Sequence, residues 1–103
     1  MYLVVFRNRK RVDIDGEAYG ADAERMEALA RAQSGFRSFK SYTADDGEVV
    51  AISEWDQEAA ALAWRRQAEH VEVQAKGRAG YYESYSLFAG VPSRIHHFPK
   101  AET

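Results

Sequence analysis

The chain contains no cysteine, only two prolines, no long hydrophobic run and almost no surplus of charge. Without cysteine there can be no disulfide scaffold, thiolate zinc site, iron–sulfur cluster or cysteine nucleophile. Fourteen basic residues stand against sixteen acidic ones, so overall charge gives no drive toward non-specific nucleic-acid binding. The longest early apolar run, Tyr2 to Phe6, falls far short of a signal-peptide core or of the ~20 residues that span a bilayer. Also missing are a glycine-rich phosphate loop, a Gly-x-Ser-x-Gly elbow and a His-Glu-x-x-His helix. The carboxylates fall on faces expected to meet solvent, which gives no support to a paired-carboxylate hydrolase. These absences leave a small cytosolic domain with no nucleic-acid or membrane partner.

What is present is enough for one modest core. The 103 residues are 46% hydrophobic and 13% aromatic, and a chain of this size buries roughly 60–70% of its unfolded surface. Tyr2 to Asn8 reads as a first strand, with the basic cluster from Arg7 to Arg11 as its solvated end. A helix follows from Glu17 or Tyr19 to Gln33, its apolar stripe carried by Tyr19, Met26, Leu29 and Ala30. Ser34-Gly35 closes it, glycine being suited to the left-handed position beyond a helix. Phe36 to Thr43 and Glu48 to Trp55 form two strands around the turn Ala44-Asp45-Asp46-Gly47, a good hairpin signal. Asp56 is a natural N-cap for a second helix running unbroken from Gln57 to Lys76 and closed by Gly77. Tyr81 to Val91 is the fourth strand, and Pro92 starts a tail.

The order βαββαβ is that of an α+β ferredoxin-like sandwich, a four-stranded antiparallel sheet with two helices on one face. Two helices cover one face of such a sheet, yet both faces here are apolar. Leu3 and Val5 oppose Tyr2, Val4 and Phe6; Phe36 and Tyr42 oppose Phe39; Val49, Ala51 and Trp55 oppose Val50 and Ile52; Tyr81, Tyr85 and Leu87 oppose Tyr82 and Phe88. An uncovered apolar face of that extent is unusual on a monomer. The expectation is a homodimer packed through the open sheet face.

At about 100° per residue, Ala60, Ala61, Trp64, Ala68, Val71 and Ala75 share one face of the second helix, the face that packs on the sheet. Trp64 can serve as core filler or as a cavity wall that stacks on a flat ligand. His70 lies on a polar flank with Ala63, Gln67 and Gln74. It is either an ordinary surface histidine or a proton acceptor at a pocket mouth, a role its unperturbed pKa near 6.5 suits. One hydroxyl among Tyr81, Tyr82 and Tyr85 could reach the cavity. His96-His97 lack a third ligand at helical spacing, so no metal is expected.

Several segments together resemble the antibiotic biosynthesis monooxygenase domain, of the dimeric α/β barrel superfamily. They are Gln33-Ser34-Gly35-Phe36, Ile52-Ser53-Glu54-Trp55, Ala63-Trp64-Arg65 with Glu69-His70 and Gln74, and Gly77-Arg78 followed by Tyr81-Tyr82, Tyr85 and Val91. The likeness runs over residues 1–98, leaving 99–103 as a tail, and is greatest to an uncharacterised bacterial branch. It implies two ferredoxin-like protomers, each with a cavity between helices and sheet. Quinone-forming members oxidise polycyclic phenols with molecular oxygen and without metal or flavin. Trp64 matches their helix tryptophan, and His70 falls where a polar ring residue stands. Their asparagine one turn before the tryptophan is replaced here by Ala60. Haem-degrading members use an asparagine at the end of strand one, matched by Asn8, and an iron-binding histidine further along the helix. That position is Val73 or Gln74 here, and His70 comes about one turn early.

The resemblance thus implies a cofactor-independent monooxygenase acting on an aromatic or quinone-like molecule, with Trp64 as cavity wall, His70 as polar contact or base and Asn8 as hydrogen-bonding partner. Arg65 could steer an anionic substrate or simply face solvent. The alternative is a non-enzymatic small-molecule-binding or stress-associated dimer with the same cavity. A haem-binding protein is the third reading.

Overall fold

The structure, a computed structural model, describes residues 1–76 and 80–99, and of residues 68–70 it describes the backbone alone. The elements are β1 (Tyr2–Lys10), α1 (Gly16–Ala32), β2 (Phe36–Thr43), β3 (Val49–Trp55), α2 (Glu58–Arg65), α3 (Ala68–Lys76) and β4 (Tyr82–Gly90). The strands form one antiparallel sheet in the order β2-β3-β1-β4. This is the ferredoxin-like α+β arrangement expected from the sequence. β1 is longer than its apolar run predicts, because Arg9 pairs with Ser84 and Lys10 with Tyr82 of β4.

Alternation along the strands separates the two faces. On β1, Val4 and Asn8 are buried, and opposite them on β3 lie Ser53 and Val49. This row, together with Phe6 and Ala51, faces the helices. Leu3, Val5, Val50 and Ile52 point the other way, joined by Tyr42 and Phe88, which are 54% and 55% exposed. The open apolar face is therefore a feature of the folded chain.

Two strands depart from strict alternation. The register shifts between Phe36 and Ser38, so that Phe36 and Phe39 both pack toward the core while Tyr42 lies on the open face. Phe36 and Phe39 had been expected on opposite faces. A second shift at Arg9/Lys10 brings Tyr82 to the helix side, edge-on to Phe6 at 5.4 Å and to Tyr19 of α1 at 6.2 Å. Tyr82 thus joins Tyr85 and Leu87 rather than opposing them. An irregularity of one residue flips every side chain beyond it, and neither shift carries a glycine or proline to announce it.

α1 starts at an N-cap, Asp15, whose carboxylate accepts the Ala18 amide at 3.0 Å. Its inward stripe is Asp22, Met26 and Ala30, spaced by four. The second helix is two helices. Arg66 caps α2 with its amide on the Leu62 carbonyl, and the Gln67 amide bonds to the Trp64 carbonyl at 3.1 Å, which tightens the last turn before α3 begins. The expected stripe holds through Ala60, Ala61 and Trp64, all buried, and then fails: Val71 is 50% exposed and Ala75 is exposed, while Val73 packs against the core. Asp56 is not the cap either. Gln57 takes that position without a side-chain bond, the Asp56 amide donates to the Gly35 carbonyl at 2.8 Å, and its carboxylate faces Arg37 at 3.6 Å.

The core centres on Trp55, which is fully buried, and Trp64, stacked at 5.4 Å and 29°. Phe36 stands edge-on to Trp55 and Phe39 edge-on to Trp64. Gly35 lets α2 approach this cluster. Its φ is +87°, and a Cβ built there would come 2.8 Å from the Ala60 Cβ. Gly35→Ala combines a strained backbone with overpacking and should destabilise the fold by about 1–3 kcal/mol, read as a lower urea midpoint at unchanged slope. An unaltered midpoint would mean that α2 can move away from the turn without loss.

Candidate functional site

Between the helices and the inner face of the sheet lies a cavity of about 320 Å³. Val4, Phe6, Phe39 and Leu87 from the sheet and Met26 and Val73 from the helices supply apolar walls. Trp64 is part of the lining as well. Its indole N–H donates to the Met26 carbonyl at 3.1 Å, so that hydrogen is taken up within the protein. The stacked Trp55 is likewise tied down, donating to the Ser53 hydroxyl at 2.9 Å.

One set of polar groups gathers where β1, α1 and the residue just before β4 meet. Asn8 is 3% exposed, and its Oδ1 accepts from Lys10 Nζ at 3.2 Å. The same ammonium stands 4.6 Å from the centre of the Tyr19 ring, a cation–π contact that keeps it at the rim. Asp22 is 4% exposed and lines the cavity. It accepts a hydrogen bond from the Tyr81 hydroxyl at 2.6 Å, pairs with Arg25 one turn along α1, and lies 3.9 Å from Lys76 of α3. A buried carboxylate needs such partners, because desolvation costs several kcal/mol.

The hydrogen bond to Asp22, with burial and the Asp22 charge, pushes the Tyr81 hydroxyl up to about 12. Tyr82 is also raised, first by burial and then by the neighbouring Tyr19, whose ring stands edge-on to it at 6.2 Å. Both phenols therefore stay protonated at neutral pH and act by hydrogen bonding.

Of the residues singled out from sequence, Asn8 and Trp64 meet in this cavity, and Arg65 stands exposed at its edge. The His70 side chain lies outside the described residues; its backbone is in α3. Of the three tyrosines considered for the cavity, Tyr81 and Tyr82 are among the residues that line it. The expectation that all carboxylates face solvent fails at Asp22. The available signal was its spacing of four from Met26 and eight from Ala30, which puts a charge on the buried stripe. Val73 and Gln74, where haem-degrading proteins would need an imidazole, both line the cavity and offer an alkyl group and an amide, which does not fit a haem iron ligand.

Residues 1–76 match the family model described as antibiotic biosynthesis monooxygenase. YqjZ of Bacillus subtilis, an uncharacterised protein, is 40% identical over 86 residues, which are 84% of this chain and 74% of that one. Among solved structures, Rv0793 from Mycobacterium tuberculosis is similar with a TM-score of 0.78 at 22% identity, covering 93% of this chain and 98% of that one. SnoaB from Streptomyces nogalater, a cofactor-independent oxygenase solved as a mutant, gives 0.71 at 20% identity, covering 95% and 98%. At these identities the structural likeness shows the fold.

The Tyr81–Asp22 bond has a pH signature. The folded chain holds the Tyr81 proton to about 12 against an ordinary 10.0, so the unfolded state loses it first. The stability it carries is whole below pH 10 and is lost as pH climbs toward about 12. Urea unfolding followed across that window should show a steeper decline for the wild type than for Tyr81→Phe. Parallel curves would show that this bond does not hold the proton.

Proposed function

The chain belongs to the antibiotic biosynthesis monooxygenase family, and from that premise we propose that it takes a phenolic or quinone-like aromatic molecule into the cavity and oxidises it with molecular oxygen, using no cofactor of its own. The observation that carries this reading is the cavity itself, with aromatic and aliphatic walls that include the Trp64 indole and with a few polar groups among them. Such a lining suits a planar ligand of modest size with one polar edge.

The chemistry balances without a reductant. A phenol with a free para carbon reacts with one O2 to give a quinone and one water. One oxygen atom becomes the new carbonyl, and the other leaves with the hydroxyl hydrogen and the ring hydrogen. The four electrons come from the substrate, so the protein's task is to orient the ring, exclude water and stabilise charge on the phenolic oxygen. Trp64 supplies the stacking wall. Asn8, whose carbonyl oxygen accepts from Lys10, is assigned as a hydrogen-bonding partner for the substrate. His70 is assigned as the base or polar contact.

One observation favours a second reading, a binding protein without turnover. Ala60 stands where the resemblance to quinone-forming members calls for an asparagine, and its methyl group packs against the Gly35 turn. Oxygen consumption with a panel of anthrols and hydroquinones separates the two. We expect uptake above buffer in the wild type and a fall of about a hundredfold or more in His70→Ala, the usual range for loss of a general base. Binding of the same compounds with no uptake would favour the second reading.

We propose further that two copies join through the open sheet face, covering Leu3, Val5, Val50 and Ile52. Sedimentation should give a species of twice the 11.7 kDa chain mass, and Ile52→Glu should shift it to the single chain, since burying an unpaired charge at the centre of such a face is costly. A monomeric wild type at micromolar concentration would remove the dimer from the proposal.

A further inference from the structure

Asp22 is out of place for a helix stripe that packs on a sheet. It shares that stripe with Met26 and Ala30, and an aliphatic side chain there would bury itself without a charge to neutralise. Instead a carboxylate is held at the cavity wall by three groups: Arg25 on its own helix, Lys76 on α3 and Tyr81 just before β4. The two cationic side chains are about half exposed, 52% and 51%, so they reach Asp22 from the solvent side. Tyr81 and Asp22 both line the cavity.

The direction of the hydrogen bonds fixes what this end of the cavity can recognise. The single phenolic proton of Tyr81 is committed to Asp22 Oδ2 at 2.6 Å, which leaves the Tyr81 oxygen with lone pairs alone. An ionised carboxylate likewise only accepts, and its two oxygens have about four lone-pair sites, more than its protein partners occupy. A ligand meeting this pair must therefore supply the hydrogen.

We propose that the Asp22–Tyr81 pair is the hydroxyl-binding end of the cavity, selecting neutral aromatic molecules that carry a donating hydroxyl over ethers and quinones of the same shape. The inference rests on the cavity-binding reading above and names the ligand class more narrowly. It has a consequence for turnover. Oxidation of a phenol to a quinone turns the donating hydroxyl into an accepting carbonyl, so the group that held the substrate no longer holds the product. Unpaired acceptors facing one another disfavour the bound state, and the product leaves.

Isothermal titration of the full chain with 1-naphthol, 1-methoxynaphthalene and 1,4-naphthoquinone tests this directly. The wild type should bind 1-naphthol about tenfold or more tightly than either of the others, as expected for a hydrogen bond to a charged acceptor. Asp22→Asn keeps the shape but adds an amide donor. Its preference for naphthol over the ether should shrink, and its affinity for the quinone should rise, a gain that a merely structural role for Asp22 does not produce. Equal wild-type affinity for naphthol and ether overturns the inference while leaving the cavity reading intact, as does an unchanged ranking in a folded Asp22→Asn. If none of the three compounds binds, the inference and the cavity reading both fall. The wild-type comparison decides the matter even if Asp22→Asn does not fold.

Discussion

Two indoles stacked face to face set the geometry on which the rest of this molecule depends. Trp55 ends β3 and Trp64 nears the end of α2, and their rings lie 5.4 Å apart. Each has its N–H bonded inside the protein, to Ser53 and to the Met26 carbonyl. The second of these bonds matters most, because it ties α2 to α1 through the very ring that stacks on the sheet. Aromatic pairs of this kind add about 0.5–1.5 kcal/mol beyond the area they bury, but their larger effect is positional. They fix the spacing between helices and sheet at one end, and the alanines at 30, 60 and 61 let the backbones close in around them.

The cavity follows from that closure. The space left is bordered by side chains from all three helices and all four strands, and no single large residue fills it. The polar end is built on the same principle as the apolar one: each group is held by a partner in the protein before any ligand arrives. Asn8 has Lys10, Asp22 has Tyr81 and Arg25, and Tyr81 is braced edge-on against Tyr19 at 5.4 Å. Preorganised groups of this kind lose little freedom when a ligand binds.

The fold was legible because its signals are local. Apolar runs of strand length, the Asp46-Gly47 turn and the glycine after α1 mark the elements, and the φ of +87° at Gly35 and +92° at Gly47 confirms the backbone role of both glycines. Three features were not legible. The break between α2 and α3 falls at Arg66-Gln67, which contains no helix breaker, so a wheel drawn through Trp64 to Ala75 rotates wrongly past residue 66. The register shifts near Phe36 and Lys10 arise from pairing between strands and leave no mark on one strand alone. Asp22 was hidden for a different reason. A charged residue is most often exposed, and its partners here, Arg25, Lys76 and Tyr81, are what offset its burial. Asn8 and Trp64 could be placed because each lies within an unbroken element, ahead of any irregularity.

The site and the open face are two sides of one wall. β1 carries Val4, Phe6 and Asn8 toward the cavity and Leu3, Val5 and Arg7 away from it, and β3 does the same with Val49, Ala51 and Ser53 against Val50 and Ile52. A strand cannot shift its outer row without moving its inner row, because both hang on one backbone. Whatever covers Val5 and Ile52 therefore presses on the strands that position Asn8 and the floor of the cavity. A partner on that face would stiffen the sheet where the polar groups of the site are anchored, and so would matter to ligand binding without touching the ligand. Among the described residues the helices lie on the cavity side alone, so one sheet carries the core, the site and the open apolar face at once.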